Sequence, residues 1–259
     1  MKSLLCYFSG TGNSKAVATD IYHHIAVDTI LSVEEVQKEP QLLADVSNLI
    51  LVFPLYFFGP PVPIRRFTEE VLSVVKPDLE YLAVVYTHGG MPIYGPSICD
   101  RLLAEAGYVA SYVAGIAMID TYIPLFRIPN KKRQQHRHSV IAKRIAVVVD
   151  DLAEQKLQVA TRLPFARLYH TLWNHLCERR PEKDRRFVVT DACSACGICV
   201  RICPAHNITL EGGKVQYHHH CEQCFACYHH CPEQAIRISP PPLLGYSWYR
   251  PPTAFLDKE

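Results

Sequence analysis

No apolar run in this 259-residue sequence approaches the roughly 20 residues a helix needs to cross a bilayer, so no membrane span is expected. The N-terminal LLCYF is also far too short for a secretion signal. Neither G-x-G-x-x-G nor a Walker sequence with its lysine occurs, and dinucleotide and nucleoside-triphosphate sites therefore lack their usual glycine loop. Low-complexity tracts are absent, and 49% hydrophobic against 20% charged residues is the composition of one ordinary globular domain plus a smaller one. Charge is uneven: seven Lys and Arg against thirteen Asp and Glu over residues 1–126, then fifteen against six over 127–186. A basic middle with no nucleic-acid motif reads as a solvated face or an internal docking surface, and no nucleic-acid partner is expected.

Cysteine is what the chain has in excess. Eight of the eleven fall in two copies of C-x2-C-x2-C-x3-C-P: Cys193, Cys196, Cys199 and Cys203, then Cys221, Cys224, Cys227 and Cys231. The repeat extends past the cysteines, with Pro204 matching Pro232 and Ile208 matching Ile236. Zinc usually closes with two C-x2-C pairs or added histidines, and an eight-cysteine disulfide module belongs to a secreted chain. The spacing favours 4Fe–4S clusters over both. It is similar to the ligand spacing of bacterial two-cluster ferredoxins, in which each motif's last cysteine crosses to the partner cluster. That resemblance implies Cys193, Cys196, Cys199 and Cys231 on one cluster, and Cys221, Cys224, Cys227 and Cys203 on the other. Cys6, Cys99 and Cys177 read as reduced, buried small residues, and the thiolates point to a reducing cytoplasm. His218, His219, His220, His229 and His230 sit beside complete quartets and read as facing solvent or backing the ligands.

At the other end, Lys2 to Phe8 form an apolar strand leading into Ser9, Gly10, Thr11, Gly12, Asn13 and Ser14. A helical pattern through Val17, Ile21 and Ile25 follows. Hydroxyls and backbone N–H groups at a helix N-terminus suit a phosphate. Asn48–Phe53 reads as a buried parallel strand opening into Pro54, Leu55, Tyr56, Phe57, Phe58 and Gly59, and Val62–Leu72 as a helix. A third strand, Leu82–Tyr86, opens into Thr87, His88, Gly89 and Gly90, with Tyr94 close behind. Phosphate donors, aromatics and glycines at the C-terminal ends of successive strands form the crevice in which open α/β sheets bind ligands.

The weak strand near Thr29–Val33, a strand-like run from Tyr108 to Met118 and a helix ending at Gly107 complete the alternation. A last sheet-covering helix is expected from Ser139, after the basic run that starts at Arg127. Phe165–Leu176 reads as a connector helix. The proline-rich tail from Pro240 reads as extended over another surface and anchored by Tyr246, Trp248 and Tyr249.

The S-x-T-G-N-S run and the two aromatic and glycine loops resemble the phosphate and ring-flanking loops of flavodoxins. Together with the cysteine module, nearly the whole chain resembles the flavodoxin–ferredoxin fusion proteins of anaerobes. It departs from them at His218–His220, where an aromatic-rich approach to the second motif is common. The resemblance implies a flavodoxin-like doubly wound parallel sheet of order 2-1-3-4-5 over residues 1–157 and a helical connector over 158–185. It further implies an α+β two-cluster ferredoxin domain over 186–239, before the extended tail of 240–259. It implies FMN and two 4Fe–4S clusters as cofactors, FMN being held by the residues from Ser9 to Ser14, Pro54 to Gly59, Thr87 to Gly90 and Tyr94. It implies electron transfer with a redox protein partner and names no catalytic residue. An FMN-dependent reductase of a small substrate is the alternative, and clusters serving only as structural staples is a third reading. Oligomeric state is not readable from the sequence.

Overall fold

The computed structural model describes residues 2–159, 163–165, 168–169, 171–172, 175 and 181–256. Five parallel strands, β1 (Lys2–Tyr7), β2 (Thr29–Ser32), β3 (Val46–Pro54), β4 (Tyr81–His88) and β5 (Tyr112–Ala117), form one sheet in the order β2-β1-β3-β4-β5. This is the expected flavodoxin-like order. Helices cover both faces, so the central strands β3 and β4 are apolar almost throughout instead of alternating. One core cluster packs Leu49, Leu51 and Phe53 against Ile64 and Phe67; the other packs Ile50 and Val52 against Val17, Ile21 and Ile145. The order reverses where β1 lies between β2 and β3, and loops leaving β1 and β3 there can splay apart.

The helix after β1, α1, spans Asn13–His24. After α2 (Val33–Lys38), the expected helix from Val62 is α-helical over Val62–Arg66 (α3), widens to a π-helix over Phe67–Leu72 and closes at Ser73–Val75 (α4). The final helix of the sheet unit, α6 (Lys131–Ala153, after α5 at Gly95–Glu105), begins eight residues before the expected Ser139. Asn130 explains the difference: its side chain accepts a hydrogen bond from the Arg133 N–H at 3.0 Å and caps the helix. From Lys131 onward the basic run thus forms the first two turns of α6, with Arg127 in the loop before it.

Beyond the sheet, Phe187–Val189 pairs antiparallel with Ile236–Ile238, and Ile208–Glu211 with Lys214–Tyr217. Short helices at Ile198–Arg201 and Ala226–His230 carry the third cysteine of each repeat, Cys199 and Cys227. Cys177 lies outside the described residues, as does half of the expected connector helix; Leu168, Tyr169, Thr171, Leu172 and His175 are helical. Cys6 and Cys99 are buried free thiols whose pKa burial pushes well up.

The tail binds both units. Trp248 stacks on Tyr228 at 5.5 Å, with Arg237 over both the Trp248 and Tyr246 rings. Farther on, the Phe255 and Leu256 N–H groups donate to the Asp20 carboxylate of α1 at 2.8 and 3.1 Å. Among the described residues no helix is long and apolar enough to cross a membrane.

Candidate functional site

At the C-terminal edge of the sheet the loops after β1, β3, β4 and β5 enclose a cavity of about 250 Å³. The β1 loop brings Ser9, Gly10, Thr11, Asn13 and Ser14 to its wall. No side chain caps α1 and no acid occupies its first turn, so its leading N–H groups remain available to an anion. Ser14 Oγ lies 2.9 Å from Thr87 Oγ1, tying this loop to β4. Asn13 donates to the Ile119 carbonyl at 3.3 Å, leaving its own buried Oδ1 without a partner.

The β3 loop supplies Pro54, Leu55, Tyr56, Phe57 and Phe58. Tyr56 and Gly59 exchange backbone hydrogen bonds of 2.8 and 3.1 Å around a two-residue turn. Phe57 and Phe58 both take left-handed conformations there (φ 52° and 70°), which bulky side chains normally avoid. Such strain persists where surrounding contacts dictate the backbone, and it places adjacent aromatics on the cavity wall.

From β4 come Thr87, His88, Gly89 and Gly90. Gly89 has no room for a Cβ, because the Asp120 carboxylate occupies that space. Burial pushes the Asp120 carboxyl up, offset in part by the Tyr122 N–H donating at 2.8 Å. Burial also pushes the His88 imidazole down.

Beyond these strand loops, a further wall belongs to the second cysteine repeat. Gln223, Cys224 and Phe225 line the cavity, Phe225 meeting Tyr122 edge to face at 5.3 Å and Tyr122 meeting Phe57 at 5.2 Å. Beside them the Glu222 carboxylate accepts from the Val62 N–H at 3.2 Å, latching this repeat to the helix after β3.

The eight motif cysteines ring two smaller cavities. Cys193, Cys196, Cys199 and Cys231 line one; Cys203, Cys221, Cys224 and Cys227 line the other. Each quartet takes its fourth thiol from the other repeat, in the pairing that the resemblance to two-cluster ferredoxins implies. Each is spread around a space instead of converging on a point: among the described residues, no three His, Cys, Asp or Glu groups stand close enough to hold a single metal ion. Backbone N–H groups of Asn207, Gln223 and Ala235 already donate to Cys203, Cys221 and Cys231 Sγ at 3.2–3.3 Å. Burial pushes the Cys221 thiol up to about 12 and raises those of Cys224 and Cys227 well above the usual thiol range, so thiolates there require a nearby compensating cation. Iron fits that requirement.

Residues 185–232 match the family of the 4Fe-4S dicluster domain. The C-terminal unit is a 4Fe–4S dicluster domain. The dicluster domain follows a flavodoxin-like sheet, the arrangement of a flavodoxin–ferredoxin fusion, and gives the chain 4Fe–4S binding and a redox or electron-transfer role. Among solved structures, the chain is similar to a flavodoxin from the domain Archaea at 20% identity, covering 60% of this chain and 98% of that one, with a TM-score of 0.42. It is also similar to the Trp repressor binding protein from Bacillus subtilis at 10% identity, covering 61% and 99%, with a TM-score of 0.40. A third, an FMN-dependent NADH-azoreductase from Bacillus anthracis in complex with FMN, is 11% identical, covering 59% and 100%, with a TM-score of 0.37. No curated protein matches the sequence.

Three residues expected at the ring and phosphate loops stand off the cavity wall. Gly12 adopts φ 105° as the residue before α1, facing Pro251 of the tail, and Gly59 closes the β3-loop turn. Tyr94 turns away to stack on Tyr169 at 4.4 Å. Asp120–Tyr122, and the dicluster residues Gln223–Phe225 as walls of this cavity, are not among the residues the sequence places there. The former had a signal, since they lie in the loop that follows the fifth strand of the alternation; the latter had none in local pattern.

The histidines also divide. His218, His219 and His220 are exposed, as expected. His229 is 1% exposed, and burial pushes it down to about 4. Its Nδ1 accepts from the Tyr249 N–H at 3.2 Å, so Nε2 donates to the Thr121 carbonyl at 2.9 Å. It joins sheet unit, dicluster domain and tail.

Proposed function

We propose that this protein passes electrons between two 4Fe–4S clusters, an FMN and a redox partner protein. The observation that carries the reading is that Cys224 and Phe225 line both the large cavity and the cavity ringed by Cys203, Cys221, Cys224 and Cys227. A cluster in that quartet would share a wall with the cofactor. When bound, FMN supplies exchange between two-electron and one-electron chemistry, which the chain only positions.

The chain's own part is specific. Ser9, Thr11, Ser14 and the uncapped N-terminus of α1 offer donors for one terminal phosphate, which suits FMN better than a pyrophosphate. Tyr56, Phe57 and Phe58 give a ring an apolar wall. Gly89 and Gly90 let the backbone approach its edge. The quartet of Cys193, Cys196, Cys199 and Cys231 shares no lining residue with the large cavity, and Cys196 is exposed, so this quartet would exchange electrons outward.

A reductase acting on a small substrate is favoured by one observation: Tyr94 stacks on Tyr169 and is not among the residues lining the cavity, so it does not cap a ring bound there. The test of the main reading is iron, sulfide and flavin analysis of anaerobically purified protein. About eight iron, eight sulfide and one FMN per chain are expected. Zinc without sulfide would overturn the clusters, and absence of flavin would reduce the sheet unit to a docking scaffold.

A further inference from the structure

From Arg127 to Val149 the sequence holds seven Lys and Arg and no Asp or Glu. Arg127, Lys131, Lys132, Arg133 and Arg137 are exposed and make no ion pair among the described residues. Four of them lie in the first two turns of α6, where the helix dipole disfavours cations, so helix stability does not account for them. In a doubly wound sheet the covering helices run antiparallel to the strands. The start of α6 therefore lies at the same edge as the cavity.

The residues just before this rim are apolar and open. Leu125 and Phe126 line the cavity yet are 64% and 44% exposed; Met91 and Phe58, also on its wall, are 75% and 41% exposed. An apolar patch bordered by charge of one sign marks a protein-interaction surface. The cations from Lys131 to Arg137 spread along about 9 Å of helix axis, wider than a single phosphate or carboxylate.

We propose that the cavity mouth and the basic rim of α6 dock a small acidic electron-carrier protein, the apolar collar giving close contact and the rim steering its approach. This deepens the functional reading above, which supplies the reason for a carrier to dock at this edge. The dicluster domain's exposed Cys196 lines a cavity that shares no residue with this one, so the chain would have two electron ports of different character.

The test uses the full-length, cofactor-loaded protein with an acidic plant-type 2Fe–2S ferredoxin as probe and cytochrome c, a basic carrier, as control. Association is followed by titration calorimetry. The ferredoxin should bind and cytochrome c should not. The triple variant Lys131→Glu, Lys132→Glu, Arg133→Glu should weaken ferredoxin binding about tenfold or more, as should raising salt from roughly 0.05 to 0.5 M. Acidic residues suit a helix N-terminus, so the variant is expected to fold, and unchanged iron and flavin content checks this. Equal affinity in wild type and variant would overturn the proposal. So would preference for cytochrome c, or a self-association that the variant abolishes without any ferredoxin binding. Calorimetry needs no electron transfer: a wild type that carries no flavin would sink the functional reading and leave the docking measurement valid.

Discussion

A Cβ on Gly10 would fall 2.5 Å from the Cβ of Cys224, so these two residues meet as closely as a glycine allows. The Tyr56 hydroxyl closes the same spot from the other side. Gly10 is thus the point at which the loop after β1, the loop after β3 and the second cysteine loop touch. Gly10→Ala should force the dicluster domain back, at a cost of about 1–3 kcal/mol from overpacking. Iron content should hold while electron passage from clusters to flavin slows. A rate equal to wild type with full iron would show that this contact does not set the approach.

The crossed ligand pairing predicts which cluster each cysteine serves. Cys203→Ala should remove the iron held with Cys221, Cys224 and Cys227 and leave the other quartet's cluster intact. Low-temperature EPR of the reduced variant, with iron analysis, distinguishes the two. Loss of the cluster held by Cys193, Cys196 and Cys199 instead would contradict the pairing.

What was legible in the sequence was what is local. The cysteine repeats show the eight ligands by spacing, while their crossed quartets follow from the resemblance to two-cluster ferredoxins; loops that follow apolar strands land at one sheet edge because the strands are parallel. The start of α6 was obscured because Lys131, Lys132 and Arg133 oppose the helix dipole, although Pro129-Asn130 carries a capping signal. The π-helical turn at Phe67–Leu72 leaves the apolar spacing almost unchanged and has no sequence mark. Contacts between units left none either: the wall of Gln223–Phe225, the Glu222 latch and the burial of His229 depend on how two separately patterned segments dock.

Thr11, 6% exposed on the cavity wall, tests the phosphate assignment. Thr11→Val keeps its shape and removes a hydroxyl donor to a charged group, a loss of about 1.5–3 kcal/mol or roughly ten- to a hundredfold in FMN affinity. Fluorescence quenching of FMN reports the change, and iron content should be unaffected. Equal affinity would move the phosphate elsewhere.

Asp151 sets an acid limit on the sheet unit. Lys156 Nζ at 2.6 Å is the main cause holding its carboxyl below the usual 3.8, with the buried Tyr112 hydroxyl donating at 2.9 Å. Because the folded pKa lies below the unfolded one, this stabilisation is present at neutral pH and is lost as pH falls through the folded value. Asp151→Asn should cost about 1–2 kcal/mol at pH 7, Lys156 being half exposed. The Tm difference from wild type should narrow below about pH 4. A gap that stays constant down to pH 3 would show that the ionised carboxylate is not what stabilises.

The shared wall of Cys224 and Phe225 is tested most directly by anaerobic rapid mixing of the cofactor-loaded protein with less than one equivalent of dithionite. The clusters should be reduced first, and the flavin absorption band should then bleach at a rate independent of protein concentration, as transfer within one chain requires. A rate proportional to protein concentration, or reduced clusters beside a flavin that stays oxidised, would contradict direct passage across that wall.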